Sequence, residues 1–100
     1  MRKILLVCNA GMSTSLLMTK MREYAETIHY DIEVVAHPVA EVSDRGGDAD
    51  VILLGPQVRF KLNDVKSKFP DKPVETIDMM AYGTMDGKKV VEHVKTLLSD

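Results

Sequence analysis

The residue of this chain best suited to covalent chemistry is a cysteine. Cys8 is the only cysteine among 100 residues, and it stands between the apolar run Ile4–Val7 and the stretch NAGMSTS, residues 9–15. A cysteine thiolate is a strong nucleophile, but a lone cysteine at the end of a strand is also often a small buried hydrophobe. The surrounding residues must therefore distinguish these two interpretations.

The stretch after Cys8 has the composition of an anion-binding loop. Gly11 permits a left-handed backbone, and a loop of small residues leading into a helix points its N–H groups toward a bound anion. We predict that the phosphate-binding residues are Asn9, Ala10, Gly11, Met12, Ser13, Thr14 and Ser15. One of the three hydroxyl residues is also expected to be the helix N-cap. These donors would stabilise a thiolate, so the sequence predicts a pKa of Cys8 below the usual ~8.5 and a cysteine placed to be phosphorylated.

The same stretch does not have the patterns of the common nucleotide-binding loops. It has Met12-Ser13-Thr14 where a P-loop has Gly-Lys-Ser/Thr, and it lacks the three spaced glycines of a dinucleotide fingerprint. His29, His37 and His93 are scattered, and no pair has metal-ligand spacing. We therefore expect no cofactor and no metal.

The elements that would position Cys8 alternate between strands and helices. Short apolar runs predict strands over Lys3–Val7, Asp31–His37, Asp50–Leu54 and Val74–Ile77, with Pro38 stopping the second of them. Helical periodicity predicts a helix from Ser13 closed by His29, a short one over Val39–Arg45, one marked by Val58–Phe69 and a last one over Val90–Leu98. Residues 78–87 are interpreted as a loop with room for one turn of helix.

This alternation predicts an α/β fold with three layers, in which a parallel sheet of about four strands has helices on both faces. Ligands of such sheets bind at the carboxyl ends of the strands, near the point where strand order reverses. Cys8, the turn at Gly55-Pro56-Gln57 and the loop after Ile77 all fall at that edge. His37, Tyr82 and the methionines Met12, Met79, Met80 and Met85 are expected near it, where the methionines serve either packing or partner docking.

Composition excludes several classes of protein. A net charge of −2 without a basic block gives no support for nucleic-acid binding. The run Ile4–Val7 is too short for a signal-peptide core, and no run approaches the ~18 apolar residues that span a bilayer. A single cysteine suits a reducing compartment. We expect one domain over residues 1–100, cytoplasmic and monomeric, without direct membrane insertion.

Three stretches together resemble a known family. ILLVCNAGMSTSLL, DVILLGPQVRF and DMMAYGTMDGKKV occur in the order and spacing of the enzyme IIB component of sugar phosphotransferase systems, in the lactose/cellobiose (chitobiose, lichenan) class. The resemblance covers essentially the whole chain. It implies a four-stranded parallel sheet with helices on both faces, in agreement with the prediction from periodicity.

The resemblance also implies an activity, that of a phosphotransferase. A IIA partner would donate a phosphoryl group from a phosphohistidine to Cys8. A membrane IIC partner would present the sugar that receives it, a β-glucoside-type disaccharide of the cellobiose, chitobiose or lactose class. The loop from Asn9 to Ser15 would hold the phosphoryl oxygens by positioning and electrostatics. The identity of the sugar cannot be read from the chain, because specificity would reside mainly in the IIC partner.

Two other interpretations remain to be compared. Low-molecular-weight tyrosine phosphatases and arsenate reductases resemble this fold, but they use Cys-x5-Arg, and here Thr14 occupies the arginine position. Their late Asp-Pro acid also has no match, since Asp78 precedes Met79. A response-regulator receiver would need acidic residues after the first strand and an aspartate after the third, where this chain has Cys8-Asn9 and Gly55-Pro56.

Overall fold

A computed structural model, which describes residues 1–9 and 14–100, has a four-stranded sheet at its centre. The strands are β1 (Arg2–Cys8), β2 (Ile32–Pro38), β3 (Val51–Leu54) and β4 (Val74–Thr76). All neighbouring strands pair in parallel, in the spatial order β2-β1-β3-β4. The predicted parallel sheet is therefore confirmed, and β1 and β3 are its two central strands.

Helices cover both faces of this sheet. They are α1 (Ser15–Thr27), α2 (Val42–Arg45), α3 (Leu62–Lys68), α4 (Met79–Gly83) and α5 (Gly87–Leu97), with 3-10 turns over Val39–Glu41 and Pro56–Lys61. The strand side chains alternate between two apolar clusters. Ile4 and Leu6 pack with α1, α4 and α5, whereas Leu5 and Val7 pack with α2 and α3. The fold thus has the three predicted layers.

The predicted helix over Val58–Phe69 is divided. Residues Pro56–Lys61 form a 3-10 turn, and Val58 within it has non-helical dihedrals (φ −115°, ψ 18°) before α3 begins at Leu62. Pro56 at the start of the turn explains the tight geometry, because its fixed φ suits the first turn but it supplies no N–H. The apolar spacing gave no sign of this kink.

The predicted loop over residues 78–87 contains more helix than expected. Asp78 accepts a hydrogen bond from the backbone N–H of Ala81 at 3.0 Å and so caps α4. Asp86 accepts one from the N–H of Lys89 at 3.1 Å, and α5 begins at Gly87, three residues before the predicted start. Both aspartates satisfy N-terminal amides, the role for which their side chains are favoured.

The second strand does stop at Pro38, but it includes the proline, one residue beyond the predicted end at His37. Pro38 is the last residue of β2 and pairs in register with Cys8. A proline can end this strand because β2 lies at the edge of the sheet, where one side of the ladder needs no donor. His37 and Cys8 are consequently brought to the same end of neighbouring strands.

Helices α1 and α5 pack closely where α5 begins. A Cβ atom on Gly87 would lie 2.4 Å from the carbonyl carbon of Lys20 and 2.5 Å from the backbone nitrogen of Met21. Only glycine leaves room for this contact. The close approach holds α5 against the helix that follows Cys8.

Candidate functional site

Cys8 lies where the order of the strands reverses. β1 leads through α1 to β2 on one side, and the chain then crosses back to β3 on the other, so the ends of β1 and β3 flank the switch point. The backbone N–H of Gly55, after β3, donates to the carbonyl of Val7 at 2.8 Å. This bond places the Gly55-Pro56 turn next to Cys8, as the sequence predicted.

The thiol of Cys8 is buried, with 7% of the residue exposed. Its Sγ donates to the backbone carbonyl oxygen of His37 at 3.7 Å. Burial raises the pKa of the Cys8 thiol, because an apolar environment disfavours the charged thiolate. The sequence predicted a lowered pKa, and that prediction was wrong: it counted the loop donors but not the removal of the sulfur from water.

The predicted phosphate-binding residues are described only in part. Asn9 and Ser15 are exposed and Thr14 is buried, while Ala10, Gly11, Met12 and Ser13 lie outside the described residues. Thr14 is the N-cap of α1, as expected of one of the hydroxyl residues, but its side chain accepts no capping hydrogen bond within that helix. Of this stretch, the structure thus describes Asn9 next to the thiol, and Thr14 and Ser15 at the N-terminus of α1.

Tyr82 is the second titratable side chain beside the thiol. Its ring is buried on α4, and a Cβ on Gly55 would lie 3.8 Å from its Cε2. Burial, together with the charge of a Cys8 thiolate, raises the pKa of Tyr82. The hydroxyl therefore lies within electrostatic range of the sulfur, on the side of the sheet that α4 covers.

His37 belongs to a second polar group at this edge. Its Nδ1 lies 3.4 Å from Oε1 of Glu41, and the Nε of Arg45 lies 3.7 Å from the same oxygen. By contrast, His29 lies just after the end of α1 and His93 lies on α5. Both are exposed, in agreement with their interpretation as surface residues. Glu41 stands four residues from both His37 and Arg45, and this charge spacing is the sequence signal that could have indicated the group.

Large apolar side chains are exposed around the same edge. Leu16 opens α1, Phe60 follows β3, and Met79 and Met80 follow β4, with exposed fractions from 52% to 74%. Met85 instead packs half-buried against the core cluster of α1 and α5. The sequence left open whether these methionines serve packing or partner docking. Met85 serves packing, whereas Met79 and Met80 leave an apolar surface uncovered.

In residues 1–9 and 14–100, no helix is both long enough and apolar enough to cross a membrane.

Comparison with known proteins identifies the class of this fold and site. The family described as "PTS system, Lactose/Cellobiose specific IIB subunit" matches residues 3–93, and the chain belongs to that family. It is therefore a phosphotransferase of a phosphotransferase system (PTS) for sugar transport.

Individual relatives are similar over almost their whole length. The chain is 44% identical to the oligo-beta-mannoside-specific EIIB component of Bacillus subtilis, covering 98% of this chain and 97% of the relative. It is 38% identical to the cellobiose-specific EIIB component of Lactococcus lactis, covering 96% and 95%.

Solved structures agree with the fold. The cellobiose-specific phosphotransferase IIB component of Borrelia burgdorferi has a TM-score of 0.80 at 35% identity, covering 98% of this chain and 92% of that one. The lactose-specific IIB domain of Streptococcus pneumoniae has a TM-score of 0.83 at 20% identity, with 96% of each chain covered. At that lower identity the likeness concerns the fold.

Proposed function

We propose that Cys8 carries the phosphoryl group in this IIB subunit. The observation that supports the proposal is the position of the cysteine: Cys8 ends a central strand at the switch point of the sheet, directly before the stretch that leads into α1. A phosphoryl group on Sγ would lie at the edge where parallel sheets bind their ligands. Packing alone does not require a cysteine there.

The first transfer of the phosphoryl group does not require that a thiolate form beforehand. The sulfur of Cys8 forms a bond to phosphorus while the bond between phosphorus and the histidine nitrogen of the IIA partner breaks. The proton of the thiol passes to the imidazole nitrogen that leaves. A thiol whose pKa is raised by burial is suited to this exchange, because the departing imidazole needs the proton that the sulfur gives up.

In the second transfer the sulfur is the leaving group. A sugar hydroxyl on the membrane IIC partner attacks phosphorus, the S–P bond breaks, and the hydroxyl proton returns to the thiol. The backbone amides and hydroxyls of residues 9–15 would hold the three phosphoryl oxygens in both steps. We assign the hydroxyl of Tyr82 as a further donor to one of these oxygens. Its ring lies beside Gly55, and a negative charge on Cys8 would raise the pKa of the phenol.

The exposed apolar surface would dock the two partners in turn. Leu16, Phe60, Met79 and Met80 are exposed and follow in sequence the adjacent strands β1, β3 and β4. Methionine side chains adapt to different surfaces, which suits a carrier that must bind both a donor and an acceptor. Residues 1–100 would act as one monomeric domain in the cytoplasm, where a thiol stays reduced.

The class of sugar follows from the relatives alone. Their names specify oligo-beta-mannosides, cellobiose and galactose. We propose a β-linked disaccharide or a related oligosaccharide for this chain.

The test is transfer from a phosphorylated IIA subunit, followed by intact-mass measurement of wild type and Cys8→Ser. One phosphoryl group on the wild type and none on the variant is the expected result. Addition of membranes containing IIC and the sugar should then discharge the wild type. A folded wild type that accepts no label, or a variant labelled as fully as the wild type, would contradict the proposal.

Hydrolysis provides the control against the phosphatase interpretation. A phosphoryl group on Cys8 would have to survive until the sugar bound by IIC accepts it, so we expect no appreciable turnover of p-nitrophenyl phosphate by the isolated protein. The position six residues after Cys8 is Thr14, which has no guanidinium to clamp a phosphate ester. Rapid turnover that disappears in Cys8→Ser would move the chain to the phosphatase class.

A further inference from the structure

Gly55 is the neighbour of Cys8 across the two central strands. Val7 pairs in register with Leu54. The backbone N–H of Gly55 donates to the carbonyl of Val7 at 2.8 Å, so the two chains stay adjacent as far as the next pair, which is Cys8 and Gly55. Side chains at paired positions of neighbouring strands point to the same face of a sheet. The side of Gly55 that carries no Cβ therefore faces the same way as the side chain of Cys8.

The space beside Gly55 is bounded by three groups. A Cβ added there would lie 3.2 Å from Oε1 of Gln57, 3.5 Å from the carbonyl oxygen of Val7 and 3.8 Å from Cε2 of Tyr82. The backbone of Gly55 (φ −61°, ψ 151°) is one that any residue can adopt, so its conformation does not require glycine. The missing side chain instead leaves room for the carboxamide of Gln57 and the ring of Tyr82 next to Cys8.

Tyr82 identifies the face of the sheet on which this space lies. Its ring belongs to the apolar cluster that α1, α4 and α5 share with Leu6, and Cys8 follows Leu6 on the same face of β1. Burial, and after it the charge of a Cys8 thiolate, raises the pKa of Tyr82, and the second effect requires that the two groups be close. Gln57 contacts the same space, so its carboxamide lies on the side of the sheet that carries the thiol.

The turn that carries Gln57 is held by its other members. Pro56 and Val58 are buried, whereas Gln57 between them is exposed. The N–H of Val58 donates to the carbonyl of Gly55 at 3.0 Å. Nη1 of Arg59 donates to the carbonyl of Pro56 at 2.9 Å. The backbone at Gln57 is therefore fixed while its side chain is open to solvent, and a carboxamide has two N–H donors beside its oxygen.

We propose that the carboxamide of Gln57 donates a hydrogen bond to the phosphoryl group carried on Cys8 and is a further catalytic residue of the transfer. The inference rests on the proposed role of Cys8 as the phosphoryl acceptor. A neutral donor suits a carrier, because it stabilises the transferred anion less strongly than a guanidinium would and so lets the group pass on to the sugar. Gly55 contributes by lacking the side chain that would fill this space.

The first test is the rate of phosphoryl transfer from phosphorylated IIA to Cys8, measured in single turnovers by intact mass. Gln57→Ala should slow transfer about tenfold, the size expected for a hydrogen bond to a charged group. Gln57→Glu keeps the shape of the side chain but turns a carboxylate toward the phosphoryl oxygens, so its transfer should be slower still. A packing role predicts the reverse order, because glutamate fills space that alanine leaves empty.

Asn63 supplies matched controls for both substitutions. It is an exposed amide on α3, which covers the face of the sheet opposite the side chain of Cys8. Asn63→Ala removes a carboxamide and Asn63→Asp replaces one by a carboxylate, and neither should change the transfer rate. Equal rates for wild type and Gln57→Ala, or faster transfer in Gln57→Glu than in Gln57→Ala, would overturn the inference.

A second measurement does not depend on IIA. The thiolate of Cys8 displaces iodide from both iodoacetamide and iodoacetate, but only iodoacetate brings a carboxylate to the sulfur. Because the thiolate fraction affects both reactions equally, the ratio of the two alkylation rates at one pH reports the stabilisation of an anion beside Cys8. Gln57→Ala should lower the rate with iodoacetate about threefold relative to iodoacetamide, and Gln57→Glu should lower it further.

The two measurements distinguish the inference from the function on which it rests. If IIA labels no residue of the wild type while the alkylation ratio falls as expected, only the proposed function fails. If IIA labels wild type and the Gln57 variants at the same rate, only the inference fails. Gln57 is exposed, so both variants are expected to fold, which the thermal midpoint checks. An alkylation ratio unchanged in both folded variants would overturn the inference whatever the labelling result.

Discussion

The sulfur of Cys8 and the ring of Tyr82 are buried together at one end of the sheet. Burial raises the pKa of both side chains, so both are expected to be neutral at pH 7. A neutral phenol is a hydrogen-bond donor, and a donor close to a phosphorylated sulfur stabilises its negative charge. On the proposed function, the pair would combine a nucleophile with a group that holds the transferred anion.

Replacement of Tyr82 by phenylalanine tests this role. Because a hydrogen bond to a charged group contributes about 1.5–3 kcal/mol, we expect Tyr82→Phe to slow phosphoryl transfer from IIA by at least about tenfold. Stopped reactions followed by intact mass would measure the rate. Tyr24→Phe is the matched control, since the Tyr24 hydroxyl donates to Glu92 on α5 at 2.6 Å.

The two variants should differ in kinetics and not in fold. Equal transfer rates for Tyr82→Phe and wild type would show that the phenol makes no contact with the phosphoryl group. A fall in rate for Tyr24→Phe as well would indicate a general loss of packing, to be checked by the thermal midpoint.

Helix α1 connects the site to the rest of the layer that covers it. It begins directly after the stretch 9–14 and packs against α5 through the contact at Gly87. Leu17 and Met21 of α1 are fully buried in the cluster that also contains Val91 and Val94 of α5. The position of the α1 N-terminus therefore depends on a helix that begins about seventy residues later in the chain.

Gly87→Ala should separate these helices. The added Cβ would meet backbone atoms of Lys20 and Met21, which cannot move without shifting α1. Overpacking of this kind costs about 1–3 kcal/mol, and we expect a loss of that size in the free energy of unfolding, measured by urea denaturation.

Gly83→Ala is the matched control for this substitution. Gly83 lies in α4, and a Cβ there meets nothing within 4 Å among the described residues. Alanine is favoured over glycine in a helix by up to about 1 kcal/mol, so this variant should be as stable as wild type or more stable. A Gly87→Ala protein as stable as Gly83→Ala would show that the helices can adjust.

At the amino end of the sheet, opposite the site, a hydrogen-bonded group joins β1 to Tyr30 and Asp100. Arg2 on β1 donates to both carboxylate oxygens of Asp100 at 2.7 and 2.8 Å, and the hydroxyl of Tyr30, before β2, donates to the same carboxylate. These hydrogen bonds lower the pKa of Asp100 to about 2. Burial and the bond to Asp100 raise the pKa of Tyr30 to about 12.

This arrangement gives stability a definite pH dependence. A carboxyl whose pKa is lower in the folded state contributes stability above its unfolded pKa of about 4, and that contribution is lost as the pH falls toward 2. Asp100→Asn should therefore lower the thermal midpoint at pH 7, and the difference from wild type should shrink between pH 4 and pH 2.

Thermal unfolding at several pH values measures the effect. Asp71→Asn is a suitable control, because Asp71 is an exposed aspartate in the loop between α3 and β4. A constant difference between Asp100→Asn and wild type from pH 7 to pH 2 would show that the carboxylate charge of Asp100 does not contribute.

The local sequence was sufficient to predict the layers and the edge that carries the site. Apolar runs of four to seven residues alternate with helical stripes, and this pattern permits little other than a parallel sheet covered on both faces. The parallel sheet then places Cys8 and Gly55 at one edge, because parallel strands all end on the same side. The anion-binding interpretation of residues 9–15 rests on residue types alone and stays a prediction.

Contacts between distant segments decided what the pattern could not. The pKa of Cys8 is raised by burial, which is not encoded next to the cysteine. The kink at Val58 and the close approach at Gly87 also arise from packing against other elements. The sequence by itself determined which residues reach the edge of the sheet, since periodicity is a local property. Only the tertiary structure decided how the thiol is buried and held, because solvent exclusion and register are properties of the assembled fold.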